Sequence, residues 1–89
     1  MNKIYRIIVE PRAKKELDLL AGPIFMKVDK EIKSLAMEPR RIGSKKLDGD
    51  IHRIRVRSWR VIYSISDAGA CVFILRISRR NEKTYKILK

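Results

Sequence analysis

The stretch "IHRIRVRSWRVIY" (Ile51 to Tyr63) constrains this chain more than any other. It alternates β-branched or aromatic residues with arginines, and side chains alternate across a strand. Two short strands joined by Arg57-Ser58 as a two-residue turn would pair Val56 with Trp59, Arg55 with Arg60, Ile54 with Val61 and His52 with Tyr63. The apolar partners then share one face. Arg53, Arg55 and Arg60 share the other. A three-residue loop would instead send Arg60 to the apolar side, so the arginine face depends on that turn. Arg57-Ser58 is also poor chemistry for a type I′ turn, which needs positive φ at both central residues.

The same logic extends downstream. Asp67-Ala68-Gly69 fits a three-residue hairpin loop with glycine in the left-handed position. That register pairs Val61 with Leu75, Tyr63 with Phe73 and Ile65 with Cys71. It also puts Arg76 across from Arg60, with Arg80 at the same parity. Like charges directly opposite one another destabilise a sheet, and no Asp or Glu occurs between residues 51 and 66. A solvated face normally mixes signs, so this pattern reads as an anion site. Alternate residues on a strand lie about 6.6 Å apart, a step comparable to that between successive phosphates.

Composition agrees. The 89 residues carry 22 Lys+Arg against 10 Asp+Glu, a net charge of +12. A small domain of this charge points to a polyanion: nucleic acid, an anionic membrane face or an acidic protein. A hydrophobic content of 45% argues for a folded domain, and the length fits a single one spanning residues 1–89.

Around the arginine stretch the elements read as follows. "KIYRIIVE" (Lys3 to Glu10) is a strand. Pro11 opens a helix in which Ala13, Leu17 and Leu20 recur at helical spacing. Gly22-Pro23 ends it and begins a second helix to about Met37, with an apolar stripe of Ile24, Phe25, Val28, Ile32 and Leu35. The short link makes the two an antiparallel hairpin. "EPRRIGSKKLDGD" (Glu38 to Asp50) is a polar connection, followed by strands near 51–57, 59–65 and 71–77. The order β-α-α-β-β-β gives an α+β domain, a helix pair packed on a mostly antiparallel four-stranded sheet.

Other chemistry is sparse. His52 is the single histidine; parity puts it on the apolar face beside Tyr63, and a two-histidine ribonuclease mechanism is excluded. Cys71, the single cysteine, reads as a small buried hydrophobe. No metal-ligand cluster, glycine-rich phosphate loop or Ser-His-Asp set occurs, so no metal or cofactor is expected. Asp48 and Asp50 flank Gly49 as turn residues, and Trp59 reads as core. The opening "MNKIYRIIVEPR" has no signal-peptide apolar region, and no run approaches the ~20 apolar residues of a membrane span. The expectation is a cytoplasmic protein that does not engage a membrane.

"KKLDGDIHRIRVRSWRVIYSI" followed by "CVFILRISRRNEKTYK" resembles the RelE/ParE superfamily of toxin–antitoxin toxins, most nearly the RelE-type ribosome-dependent messenger RNA endonucleases. The shared pattern is a K-L-x-G entry, an R-I-R-V/L strand, a tight turn, Y-R-V-I-Y, a hydrophobic strand and a terminal basic–tyrosine element. The resemblance implies a RelE-like fold and a metal-independent endoribonuclease of a type II toxin–antitoxin system. Such an enzyme cuts messenger RNA in the A site of the 30S ribosomal subunit, the 2′-hydroxyl attacking the adjacent phosphate. It implies Arg53, Arg55, Arg60, Arg80 and Tyr85 as catalytic residues. Arg57, Arg76, Arg79 and Lys83 are candidate RNA-binding residues. Lys45 and Lys46 are either solvated loop lysines or contacts to ribosomal RNA.

Some members of the superfamily carry lysines where this chain has Arg53 and Arg55. Arginine does not give up its proton, so Arg55 cannot serve as general base, although it can stabilise charge on a phosphate. The base is then Tyr85, a ribosomal group or water. The resemblance also implies an antitoxin partner, RelB-like or other, through which the complex would meet DNA indirectly. ParE-type members share the fold and poison DNA gyrase, which is the alternative activity. An inactive homologue that only binds an antitoxin is a third reading.

Overall fold

The computed structural model describes residues 3–79. Its elements are β1 (Arg6–Val9), α1 (Pro11–Asp18), α2 (Gly22–Ser34), β2 (Lys45–Asp48), β3 (Ile51–Val56), β4 (Trp59–Ser66) and β5 (Cys71–Arg79). The strands form one sheet in the order β1-β5-β4-β3-β2. The β1–β5 pair is parallel and the other pairs are antiparallel. The α+β class and element order are as expected, but the sheet has five strands, not four. The additional strand, β2, lies in what reads as polar connection. Its exposed Lys45, Lys46 and Asp48 suit an edge, where charge discourages further pairing.

Both helices lie on one sheet face. Pro11 occupies the first helical turn of α1, where a missing N–H costs nothing. Ala13 and Leu17 of α1, with Leu20 just beyond it, and Val28 and Ile32 of α2, with Leu35, bury their side chains against Ile54, Val56, Val61, Tyr63 and Ile74. The helix α2 stops at Ser34 instead of continuing to Met37. Residues 35–37 tighten into i→i+3 bonds, Leu35 to Ile32, Ala36 to Lys33 and Met37 to Ser34. The Ala36 carbonyl is thereby released to accept the Tyr5 N–H at 2.8 Å, which ties the start of the chain to the end of α2. Among the described residues, no helix is long and apolar enough to cross a membrane.

The β3–β4 register is the expected one: Val56 faces Trp59, Arg55 faces Arg60, Ile54 faces Val61 and His52 faces Tyr63. His52 is buried, stacks on Tyr63 with ring centroids 5.8 Å apart, and places Nδ1 3.0 Å from the Asp50 carbonyl. The Tyr63 hydroxyl donates to the Pro39 carbonyl at 2.6 Å. Trp59 is partly buried against the core, as expected.

The β4–β5 register differs from expectation. Residues 67–70 form the connection, and Ala70 at φ 52°, not Gly69, is left-handed. The strands therefore start one residue out of the anticipated pairing, Ser66 with Cys71 and Ile65 with Val72. A bulge then follows: Tyr63 pairs with Ile74 and Ile62 with Arg76, leaving Leu75 as the extra residue. The core-facing residues of β5 are Val72, Ile74 and Ile77 instead of Cys71, Phe73 and Leu75. Cys71 is only half-buried, its Sγ 3.3 Å from the Gly69 carbonyl.

Arg76 is displaced by the same shift. Ser78, not Arg76, stands across from Arg60. Arg76 is 6% exposed and held by Glu16 of α1, with Nε donating at 3.0 Å and Nη2 at 2.9 Å to Oε2. The other Glu16 oxygen accepts the Ile77 N–H at 2.7 Å. This carboxylate stands where a strand is missing, because β1 ends at Val9 opposite Ile74 while β5 runs on to Arg79. One acidic side chain thus satisfies an edge N–H and neutralises a buried cation.

Two predictions follow from these contacts. Replacing Glu16 by Ala strands a buried guanidinium and should cost about 3 kcal/mol in urea unfolding, whereas Glu16→Gln, which retains an acceptor for Ile77, should cost less. The second concerns Asp67, which accepts from Arg40 at 2.9 Å, from Tyr5 at 2.6 Å and, through its carbonyl, from Lys3. The hydrogen bonds from Arg40 and then Tyr5 lower its carboxyl to about 2. A folded value below the unfolded value of about 3.9 gives stability that is complete above pH 4 and fades as pH falls towards 2. The stability gap between wild type and Asp67→Asn should be constant at neutral pH and close across that acid window.

Candidate phosphate-binding site

Strand alternation and the Arg57-Ser58 turn set the geometry of the second sheet face. Arg57 takes φ 57°, so this two-residue loop closes with a left-handed arginine where glycine or asparagine is usual. The turn keeps Arg53 and Arg55 of β3 on the same side as Arg60 of β4. With Lys45 and Leu47 of β2 and Ile62 of β4 they line a concavity of about 250 Å³. Arg55 and Arg60 are direct cross-strand partners, as are Lys45 and Arg53. Ile62, opposite Arg53 in the register, is fully buried and forms an apolar floor.

Among the described residues, four of the six that line this concavity are cationic and none is acidic. Burial lowers the Arg53 guanidinium below its ordinary value, and the charges of Arg55 and then Arg60 push the same way. An arginine so perturbed remains a cation near neutral pH. The recess therefore concentrates positive charge over a low-dielectric floor, where attraction to an anion exceeds that at an open surface. Guanidinium groups on neighbouring strands suit the separate oxygens of a phosphate and stabilise negative charge that develops on it. Among the described residues, no set of three His, Cys, Asp or Glu side chains is placed to hold a metal ion.

The remaining candidates fall in different places. Lys45 joins the recess, whereas Lys46 pairs with His52 in the register and so belongs to the opposite parity. Arg57 swings around the hairpin tip and lines a separate shallow depression with Pro23, Ile24 and Lys27. Arg79 is exposed, its guanidinium 5.2 Å from the Trp59 ring centroid. Arg76 is withdrawn into its pair with Glu16, so its expected place beside Arg60 is corrected. Arg80, Lys83 and Tyr85 lie outside the described residues. Asp48 and Asp50 occupy the β2–β3 turn around Gly49 at φ 53°.

Sequence reasoning missed two members of the recess, Leu47 and Ile62. The β3–β4 register already places Ile62 opposite Arg53, so its position was available from parity. Leu47 carried no such signal, because its strand is short and irregular.

Comparison with known proteins places the chain in a family. The model of the ParE toxin of type II toxin–antitoxin systems, parDE, matches residues 7–84. Among solved structures, the chain resembles the toxin–antitoxin complex RelBE from Mycobacterium tuberculosis at 27% identity and a TM-score of 0.77, covering 86% of this chain and 99% of that one. It resembles the archaeal RelE–RelB complex from Pyrococcus horikoshii at 26% identity and a TM-score of 0.79, covering 89% and 98%. The free E. coli toxin RelE, in mutant form, shares the fold at a TM-score of 0.80 and 24% identity over 94% of this chain and 92% of that one. No curated protein matches the sequence. With its family pattern matched over most of its length and its fold shared with RelE toxins, the chain belongs to the RelE/ParE superfamily as a ParE-family toxin of type II toxin–antitoxin systems.

Proposed function

We propose that this toxin is a ribosome-dependent endoribonuclease that cleaves messenger RNA in the ribosomal A site. The observation that carries the reading is the convergence of Arg53, Arg55, Arg60 and Lys45 on one recess, with no acidic residue among the described residues that line it. The likeness to RelE proteins supports it.

In the proposed reaction the ribose 2′-oxygen bonds to the adjacent phosphorus and the P–O5′ bond breaks. The 2′-hydroxyl proton passes to a base, and the departing 5′-oxygen takes up a proton. Negative charge grows on the phosphorus oxygens along the way. Arg55 and Arg60, facing each other across the β3–β4 pair, are positioned to bind that charge more strongly as it grows, which is catalysis by differential binding. Neither supplies the base, which falls to Tyr85, a ribosomal group or water. The partner that restrains the toxin is an antitoxin; the Mycobacterium and Pyrococcus relatives are both complexes with one.

A second reading is supported by the family model itself, which is that of ParE. A gyrase inhibitor would leave messages intact and provoke a DNA-damage response. Induction of the chain alone in bacteria, with mapping of messenger RNA 5′ ends, separates the two. The expected result is growth arrest with new ends inside codons at the ribosome. Intact messages with stalled gyrase would establish the second reading, and unimpaired growth would indicate a toxin that retains only antitoxin binding.

Two variants extend the test. Arg60→Ala should reduce message cleavage by about a hundredfold or more while the far-ultraviolet circular dichroism stays that of the wild type. Arg55→Gln relieves repulsion across the β3–β4 pair and should raise Tm by about 2 °C at low ionic strength, a gain that shrinks in molar salt. A Tm that falls in low salt would show that Arg55 is compensated within the fold.

A further inference from the structure

The arginine recess has one wall that phosphate chemistry does not use. Leu47 lies on it, two residues along β2 from Lys45. The β2–β3 ladder is irregular there: Lys46 pairs with His52 and Asp48 with Ile51, so Leu47 is the residue left between. A bulge of this kind re-aims a side chain, and bulges gather at sheet edges and beside functional sites. Leu47 is half-buried and stands apart from the hydrophobic core, to which neither it nor its strand contributes a side chain. It faces Arg53, Arg55 and Arg60 across the recess, above the buried Ile62.

We propose that Leu47 is a base-contacting, specificity-determining residue: it packs against the face of the nucleobase whose phosphate the arginines hold. This rests on reading the recess as an RNA site and names the part of the RNA that its apolar wall takes. A phosphate alone has no use for an aliphatic wall, whereas a nucleotide presents an anionic end and an apolar face together. The recess, at about 250 Å³, is smaller than the ~300–1,000 Å³ of pockets for drug-sized ligands and suits a single nucleotide unit. The base must be unstacked to expose its face, so the ligand is single-stranded RNA and not a duplex. The contact is apolar and non-directional, so it discriminates by base size and stacking area instead of by hydrogen-bond pattern.

The test measures binding without cleavage. A short labelled single-stranded RNA with 2′-O-methyl groups, which lacks the nucleophile, is titrated at low salt and followed by fluorescence anisotropy. An abasic strand of equal length and charge is titrated in parallel. The wild type should bind the base-bearing strand about fivefold more tightly, as expected for burying a few tens of Å² of apolar surface. Leu47→Ala should bring the base-bearing strand to the abasic level, and Leu47→Phe should widen the gap. Arg55→Ala should weaken both strands by the same factor. Circular dichroism on each variant checks that the edge strand remains folded. Equal binding of the two strands by the wild type, or a gap that survives in Leu47→Ala, overturns the inference and leaves the RNA reading intact. A wild type that binds neither strand, or takes only an acidic peptide, overturns both.

Discussion

Like charge held at short range across the β3–β4 pair is the constraint on which the rest of this structure depends. Arg55 and Arg60 are cross-strand partners, with Arg53 one alternate position away. Nothing in a sheet favours that arrangement, since directly opposed like charges cost stability and the apolar partners on the other face must hold the register against it. They do so because Val56–Trp59, Ile54–Val61 and His52–Tyr63 all meet on the core side. A slip of one residue would bury the arginines and expose the core. The Arg57-Ser58 turn fixes the count between the strands, at the expense of a left-handed arginine that costs on the order of 1–2 kcal/mol. Strain of that size beside a charged recess fits a site kept for binding.

Several arginines outside the recess are engaged by carboxylates of the fold. Arg76 is taken up by Glu16, which simultaneously closes the free edge of β5 through the Ile77 N–H. Arg41 pairs with Glu31 at 3.0 Å, and Arg40 with Asp67 at 2.9 Å. These carboxylates come from the helices and from the β4–β5 connection, and they meet arginines at the sheet edge or in loops. Among the described residues that line the recess, none carries a carboxylate. Net charge announces a polyanion partner, but where acids are placed decides which basic residues can meet it.

That distinction explains what was legible beforehand. The β3–β4 hairpin was readable because period-2 alternation and a two-residue turn leave a single register that gathers the apolar residues. The β5 register was not readable. Ala70 adopted the left-handed backbone that Gly69 would supply more cheaply, and the Leu75 bulge has no compositional mark. Once the ladder shifted by two residues there, Arg76 moved from opposite Arg60 to opposite Ile62, and at the free edge its side chain was taken up by Glu16. Its pairing with Glu16 joins residues 60 positions apart, a contact no local pattern encodes. The strand β2 was missed because four residues with two lysines look like loop, and only pairing with β3 makes them a strand. The end of α2 was overrun because its apolar stripe continues to Leu35, while the backbone turns tightly to offer Ala36 to Tyr5.

The sheet order gives the recess a division of labour. The arginines stand on β3 and β4, each flanked by strands on both sides, so their spacing is held by two ladders. A group that must stabilise charge in a transition state benefits from that rigidity, because displacement of even 1 Å weakens the interaction it supplies. Lys45 and Leu47 stand on β2, an edge strand tied by one irregular ladder. Edges and bulges are where a chain can change side chains without disturbing the core. In the RNA site proposed above, a fixed arginine wall would hold the phosphate while the edge wall at Leu47 meets the base.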